Sequence, residues 1–125
     1  MIKVFIPSMK DFPYEECKKM YEEQQKAIGD DQSFDNVILN TMFFAFTKDD
    51  KLLGGIYFYE RCSRTFVNVF AGRKTYNDNQ ECFKWSLLGF NRPVYATTEH
   101  RYIRLQLLKL GFKKIGDKLF KYERR

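Results

Sequence analysis

The chain has 125 residues, the size of one domain, and 44% of them are hydrophobic and 18% aromatic, which is enough to form a core. No apolar run is long enough to span a bilayer, and the first residues lack the apolar segment of a signal peptide, so we expect a cytoplasmic protein without membrane contact. Three scattered cysteines (Cys17, Cys62 and Cys82) predict free thiols in a reducing compartment, and the single histidine argues against a metal site.

The net charge of +6 is concentrated near the end of the chain. Residues 98–125 hold nine Lys or Arg and three Asp or Glu, whereas the other residues hold 13 of each sign. Such a basic segment can face nucleic acid, an acidic protein or the phosphates of a nucleotide-containing cofactor. It is also typical of an ordinary solvated sheet edge. The charge pattern by itself leaves all four interpretations open.

The first part of the chain predicts a strand followed by two helices. Residues 2–6 alternate as a strand does. A helix is predicted over residues 14–28, because Pro13 suits the first turn of a helix and Gly29 suits its end. One face of this helix is apolar, with Tyr14, Cys17, Tyr21 and Ile28. Within the polar stretch 30–40, four apolar residues predict one short second helix.

The middle of the chain predicts three consecutive antiparallel strands. These strands are residues 41–47, 52–60 and 65–70. Short polar stretches at 48–51 and 61–64 predict the two turns that join them. The pair Gly54 and Gly55 within the second strand predicts a β-bulge.

The last part of the chain predicts helix, strand, helix and strand. A helix begins near residues 77–79 after a basic loop, and the apolar run 94–96 indicates a strand. The final helix carries a core-facing stripe at helical spacing, made by Ile103, Leu107 and Leu110. Gly111 ends this helix and Phe112 begins an extended run.

The end of the chain and the order of its elements resemble the GNAT acyltransferases. In that family the last helix runs Asn, two residues, Ala, two residues, Leu-Tyr, two residues, Leu-Gly-Phe, and this chain has Leu-Gly-Phe at 110–112. When the family pattern is aligned with this sequence at Leu-Gly-Phe, its Asn, Ala and Tyr positions correspond to His100, Ile103 and Leu107. The resemblance implies an α/β fold with a mixed, mainly antiparallel GNAT-like sheet flanked by helices, as a single domain over 1–125. The short, aromatic, Lys- and Asn-rich chain is also similar to small GNAT-like proteins of bacteriophages.

The resemblance also implies an acetyl-CoA site in the loop after the third strand of the meander. There the family has Arg or Gln, two residues, Gly, one residue, and Gly or Ala, so that bare backbone N–H groups at a helix N-terminus bind the pyrophosphate. Arg73 stands at the first position here, but the glycine positions fall on bulky Tyr76 and acidic Asp78. The residues that could still bind the anion are Gly72, Arg73, Lys74, Thr75, Tyr76 and Asn77. The alternative is an ordinary basic loop before a capped helix.

Acyl transfer to an amine requires a route that takes a proton from the amine and a donor for the leaving thiolate. His100 is the candidate base, because imidazole exchanges protons near neutral pH. Tyr102 is the candidate donor, replacing the tyrosine that the family has at Leu107. Two alternatives stay open, since His100 can simply cap or pack at the helix start and Tyr102 lies well around the helix from Leu107.

The final helix has a second apolar side. Leu105 and Leu108 lie away from the core stripe, near Arg101 and Arg104. These four residues predict a docking surface for a protein partner, or else a side that is buried under a loop.

Three functions follow from these patterns. The first is a divergent GNAT-fold protein of phage type with an eroded acyl-CoA site, acting by protein binding in virion or complex assembly, which Tyr76, Asp78 and Leu107 favour. The second is an acetyl-CoA-dependent N-acyltransferase with an unusual cofactor loop, which Arg73 and Lys74 favour. The third is nucleic-acid binding by the basic C-terminal third. The sequence has no P-loop, no dinucleotide-binding glycine pattern and no visible hydrolase triad.

Overall fold

A computed structural model describes residues 1–72, 76–99 and 101–124, apart from the side chains of Tyr76 and Tyr102. Within this part of the chain there are seven strands and four helices. In chain order they are β1 (Ile2–Phe5), α1 (Tyr14–Ile28), α2 (Phe34–Asn40), β2 (Met42–Lys48), β3 (Lys51–Arg61), β4 (Arg64–Ala71), α3 (Tyr76–Leu87), β5 (Val94–Thr97), α4 (Arg101–Lys109), β6 (Lys113–Lys114) and β7 (Leu119–Tyr122). None of the described helices combines the length and apolarity needed to cross a membrane.

The strands form one sheet in the order β1-β2-β3-β4-β5-β7-β6. Every neighbouring pair is antiparallel except β4 and β5, which are parallel. The predicted α/β class with a mixed, mainly antiparallel sheet is therefore confirmed. One prediction needs correction, because the extended run after Phe112 is two strands, which turn back where Ile115 and Gly116 donate backbone hydrogen bonds to the Leu119 carbonyl oxygen.

Two apolar cores cover the two faces of the sheet. Helices α1 and α2 bury four side chains on one face, namely Cys17, Tyr21, Phe34 and Val37. Helices α3 and α4 cover the other face with Phe83, Leu87 and Leu107, and Leu110, which follows α4, belongs to the same core. Ile103 packs against this core. Alternation along β3 divides its side chains between the cores, with Tyr57 in the first and Ile56 and Phe58 in the second.

Both predicted hairpin turns are confirmed, and both have the left-handed backbone of a type I′ turn. Asp49 and Asp50 have φ angles of 53° and 63°. Cys62 and Ser63 have φ angles of 52° and 63°. Two-residue turns with this geometry match the right-handed twist of the strands that they join. The β2–β3–β4 meander is therefore held in register by its own turns.

The prediction of a bulge at Gly54 and Gly55 is wrong by one residue. Phe46 faces Gly54 and Thr47 faces Leu52, so the extra residue of β3 is the intervening Leu53. The glycines are required for close packing instead. A Cβ atom on Gly54 would lie 2.3 Å from the carbonyl oxygen of Phe70, and one on Gly55 would lie 2.4 Å from the Phe70 ring.

Candidate functional site

β4 and β5 lie side by side at one end of their length and part at the other. Their parallel ladder has only two rungs, Thr65 with Val94 and Phe66 with Tyr95. Beyond them β4 runs on to Ala71, still paired with β3, while β5 stays paired with β7. A wedge-shaped opening therefore interrupts the middle of the sheet.

This opening forms a cleft of about 500 Å³ that is lined by helices from both faces of the sheet. On one face its wall is α1, through Glu23, Gln24, Ala27 and Ile28. On the other face its wall is α3 and α4, through Asn79, Phe83, Ile103, Gln106 and Leu107. The strands contribute Val67, Asn68, Val69, Ala71, Ala96 and Thr97. Two molecules that approach from opposite faces can meet inside such a cleft.

The cleft edge of β4 carries backbone groups that β5 does not use. In the β3–β4 hairpin Arg61 pairs with Arg64 across a two-residue turn, so the even-numbered residues of β4 exchange hydrogen bonds with β3. The N–H of Gly72, which donates to the Leu53 carbonyl oxygen at 2.9 Å, follows the same alternation. Val69 therefore directs its N–H and C=O into the cleft, where no described residue of β5 pairs with it. A ligand with extended amide groups can add to this edge as a strand would.

The side-chain amide of Gln24 closes the far end of that edge. Its Nε2 donates to the Ala71 carbonyl oxygen at 2.6 Å, and the Ala71 N–H donates back to Oε1 at 3.1 Å. This pair of bonds imitates one rung of a sheet. It anchors α1 to β4 and confines the open edge to the stretch around Val69.

The start of α3 lies at the same end of the cleft. Asp78 in its first turn is paired with Lys48 of β2, whose Nζ lies 3.3 Å from each carboxylate oxygen. Asn79 donates from Nδ2 to the Gly72 carbonyl oxygen at 3.3 Å. The negative charge that the sequence places at Asp78 is therefore balanced by a lysine, and the carboxylate stands where the helix dipole favours it.

The structure locates some of the predicted site residues and not others. Gly72 lines the cleft and Asn77 is exposed in the first turn of α3. The predicted residues Arg73, Lys74, Thr75 and His100 lie outside the described residues, as do the side chains of Tyr76 and Tyr102. Binding of acetyl-CoA by residues 72–77 and proton transfer by His100 and Tyr102 therefore stay predictions.

The second side of α4 is exposed to solvent. Leu105 and Leu108 are 51% and 49% exposed, Arg101 is exposed and Arg104 is half-buried. Because about half of each leucine is exposed, the interpretation that a loop buries this side of α4 does not hold. The docking surface that they predict has no partner in this structure and stays a prediction.

A chain of polar side chains leads from the α1–α2 connection to the cleft. The Tyr57 hydroxyl donates to Asp30 Oδ2 at 2.8 Å, and Asn68 Nδ2 donates to the Tyr57 oxygen at 3.2 Å. Asp30 Oδ1 accepts from the Gln32 N–H at 3.0 Å. Tyr57 is fully buried, and this burial raises the pKa of its hydroxyl well above the usual range. The hydroxyl is therefore a permanent donor at neutral pH.

Sequence reasoning did not predict these hydrogen bonds between Asp30, Tyr57 and Asn68. Asn68 was one of two polar residues in the predicted strand 65–70, and Asp30 was only one residue of a polar stretch. Tyr57 was one aromatic among many. The alternation of β3 and β4 would have placed Tyr57 and Asn68 on one face, but nothing local in the sequence connects either to Asp30.

No family model and no curated protein matches the sequence. Solved structures do match the fold. A probable acetyltransferase from Staphylococcus epidermidis ATCC 12228 superposes with a TM-score of 0.69 at 15% identity, covering 100% of both chains. Aminoglycoside 6'-acetyltransferase type Ii gives 0.68 at 15% identity, covering 98% of this chain and 96% of the other. An acetyltransferase from Agrobacterium tumefaciens str. C58 gives 0.67 at 8% identity, covering 98% and 91%.

The fold is that of the GNAT acetyltransferases. The similarity extends over nearly the whole chain. At these identities the comparison establishes the GNAT fold, and the chemistry has to be argued from the cleft itself. The expected likeness to bacteriophage proteins is not addressed by these neighbours and stays a prediction.

Proposed function

We propose that this protein is an N-acyltransferase that moves an acetyl group from acetyl-CoA to an amine inside the β4–β5 cleft. The parting of the two strands carries the proposal, because it opens a passage between the faces of the sheet and bares the Val69 edge of β4. The resemblance to GNAT enzymes implies that such an opening admits the pantetheine arm. That arm contains two amides, which suits pairing with the N–H and C=O of one strand residue.

The cleft is lined by different residues on the two faces of the sheet. On the α3–α4 side the apolar side chains of Phe83, Ile103 and Leu107 exclude water from the reacting atoms. On the α1 side Glu23 and Asn68 are polar and face the same space. We infer that the thioester lies among the apolar residues and that the amine enters from the α1 side.

Acetyl-CoA supplies the acetyl group in activated form, as a thioester. The amine nitrogen forms a bond to the acetyl carbon while the C–S bond breaks, and the proton that the amine loses balances the one that the thiolate gains. Orientation of the two reactants in one cleft is the main contribution that the described residues can make. We keep His100 as the proposed base and Tyr102 as the proposed donor to the thiolate.

Calorimetric titration of the purified protein with acetyl-CoA tests the proposal. We expect saturable binding in the micromolar range and weaker but measurable binding of acetyl-pantetheine, because the arm alone can use the β4 edge. An acceptor screen that follows release of the CoA thiol should then identify amines. Absence of heat at millimolar acetyl-CoA, together with an unchanged melting temperature, would overturn the proposal, because a ligand bound to the native state must stabilise it.

The competing hypothesis, assembly through α4, has one structural feature in its favour, the exposure of Leu105 and Leu108. If copies of the chain associate through this side, Leu105→Asp with Leu108→Asp should convert the assembly to monomers in light scattering, because charges cannot be buried unpaired. Leu39→Asp is the matched control, since Leu39 is 79% exposed on a different helix. An unchanged mass in a folded double variant would remove the α4 surface. Nucleic-acid binding by the basic C-terminal third predicts steep salt dependence instead.

A further inference from the structure

A row of five cross-strand neighbours lies on the sheet face that α1 and α2 partly cover. In order across the sheet they are Tyr59 of β3, Phe66 of β4, Tyr95 of β5, Lys121 of β7 and Lys113 of β6, each paired in register with the next. Four steps of about 4.8 Å between strands give the row a length of about 19 Å. The row lies at the closed end of the β4–β5 opening, and its residues do not line the cleft. It is therefore a surface separate from the proposed acyl-transfer site.

Helices α1 and α2 leave the basic end of this row uncovered. They pack on β2, β3 and β4, and Tyr59 packs against their core. Phe66 and Tyr95 belong to neither of the two apolar cores. Tyr95 is nevertheless only 8% exposed, and two cationic side chains lie over its ring. The guanidinium carbon of Arg64 is 4.7 Å from the ring centroid and Lys121 Nζ is 5.8 Å from it. Tyr95 therefore holds two cations in place beside the other aromatic residues of the row.

These other residues, Tyr59 and Phe66, form a stacked pair. Their ring centroids are 5.8 Å apart, their planes differ by 19°, and both side chains are half-buried. Phe66 also contacts Tyr95, at 5.7 Å between centroids. Half-buried rings on a sheet can stack with flat groups of a ligand, and the bases of a single-stranded nucleic acid stack on aromatic side chains in this way whatever their sequence.

The charges on this face favour a polyanion. Four cations lie along it, namely Arg61, Arg64, Lys113 and Lys121. Two acids lie nearby, since Glu123 is paired with Lys121, and Asp30 accepts a hydrogen bond from Tyr57 beyond the β3 end of the row. A polyanion would therefore run along the side of the β3–β4 turn, where the two arginines lie, and away from Asp30.

We propose that this face of the sheet binds single-stranded nucleic acid. Bases stack on Tyr59 and Phe66, and backbone phosphates pair with Arg61, Arg64 and Lys113. An acidic peptide would use the cations alone, and a duplex keeps its bases stacked on one another, so neither suits the aromatic pair. The site combines residues of the β3–β4 hairpin with residues of the basic C-terminal segment. It does not depend on acyl transfer, because it lies outside the cleft.

Fluorescence anisotropy with a labelled oligodeoxythymidine of about twelve nucleotides tests the stacking. We expect saturable binding at low salt, and binding about tenfold weaker for Phe66→Leu, which keeps an apolar side chain but has no ring. Phe66→Tyr keeps the ring and should bind as the wild type does. Phe44→Leu is the matched control, because Phe44 is a half-buried ring that packs against the other core and contacts Trp85. Wild-type affinity in a folded Phe66→Leu protein, or an equal loss in Phe44→Leu, would overturn the proposal.

The salt dependence of the same titration tests the phosphate contacts. Arg64→Gln with Lys113→Gln should make the slope of log affinity against log salt shallower by about 1.4, because each contact with a single strand contributes about 0.7. Arg92→Gln with Lys84→Gln is the matched control. It removes the same charges, but Arg92 pairs with Glu60 and Lys84 belongs to α3, on the other face of the sheet. An equal change of slope in the control would mean that net charge alone attracts the oligomer, which contradicts a site on this face.

Competition and alternative ligands define what the face binds. Saturating acetyl-CoA should leave the bound oligomer in place, because the row does not line the cleft. Displacement by acetyl-CoA would place the oligomer in the cleft and overturn the proposal. A duplex of the same length, or polyglutamate, that binds as tightly as the oligomer at equal salt would show that the aromatic pair is not used. No binding of the oligomer at low salt would also reject the site.

Nuclear magnetic resonance of the wild type supplies a measurement that does not depend on the folding of any variant. The ring signals of Tyr59 and Phe66 should shift saturably as the oligomer is added. The signals of Trp85, which contacts Phe44 and Phe46 on the other face, should stay in place. Unchanged Tyr59 and Phe66 signals in the presence of bound oligomer would refute stacking on this pair.

Discussion

Replacing Val69 by proline should remove acetyl-CoA binding while leaving the protein folded. The N–H of Val69 faces the cleft and the ladder to β3 is made by its neighbours Asn68 and Phe70, so proline deletes the donor offered to the ligand without breaking the sheet. Proline also requires an extended residue before it, which Asn68 in β4 already is. We expect the dissociation constant to rise by at least about thirtyfold, or about 2 kcal/mol, from one lost hydrogen bond and the bulk of the ring at the edge.

Calorimetric titration with acetyl-CoA compares the dissociation constants of Val69→Pro and Val69→Ala. The alanine variant also loses side-chain bulk but keeps the N–H, so it should bind acetyl-CoA distinctly more tightly than the proline variant. A folded Val69→Pro protein with wild-type affinity would show that the ligand does not pair with β4.

Gly54→Ala should be the most damaging small substitution in the sheet. The added Cβ atom would lie 2.3 Å from the Phe70 carbonyl oxygen and 2.9 Å from the Ala71 Cα atom, and both belong to the backbone of β4. Backbone atoms in a ladder cannot move aside as the end of a side chain can, so β3 and β4 must separate locally. We expect a loss of about 3 kcal/mol in the free energy of unfolding, the upper part of the usual range for overpacking.

Urea denaturation of Gly54→Ala and Gly89→Ala measures this effect with its control. A Cβ atom on Gly89 would lie 3.6 Å from its nearest neighbour, the Ser86 carbonyl oxygen, which is an ordinary contact. The control should therefore stay within about 0.5 kcal/mol of the wild type. A Gly54→Ala protein as stable as its control would mean that β3 and β4 are less closely packed than the structure shows.

The residue at the family's tyrosine position is apolar and packs in the core. Leu107 is 3% exposed, belongs to the core with Leu110 and also lines the cleft. It helps to exclude water at the place where the family pattern has a tyrosine hydroxyl. A proton donor for the thiolate must then come from another residue, which is why Tyr102 is kept in the proposal.

Local patterns in the sequence determined the elements and their order. Pro13 and Gly29 bounded α1 correctly, and the polar stretches 48–51 and 61–64 predicted both turns of the meander. The stripe ending in Leu110 predicted the core side of α4. These features depend on residues close together in the chain, since caps, turns and helical faces involve neighbours within a few positions. The resemblance at 110–112 then led to the correct fold class.

Only the tertiary structure determined the shape and the polar groups of the cleft. Three features depend on contacts between different elements. They are the two-residue pairing of β4 with β5, the bulge at Leu53, and the hydrogen bonds that link Asp30, Tyr57 and Asn68. The bulge shows why the sequence was insufficient, because two glycines indicate either an irregular strand or a close approach, and only the neighbouring strand distinguishes them. Whether two parallel strands stay paired depends likewise on the packing of helices from both faces, which no single segment specifies.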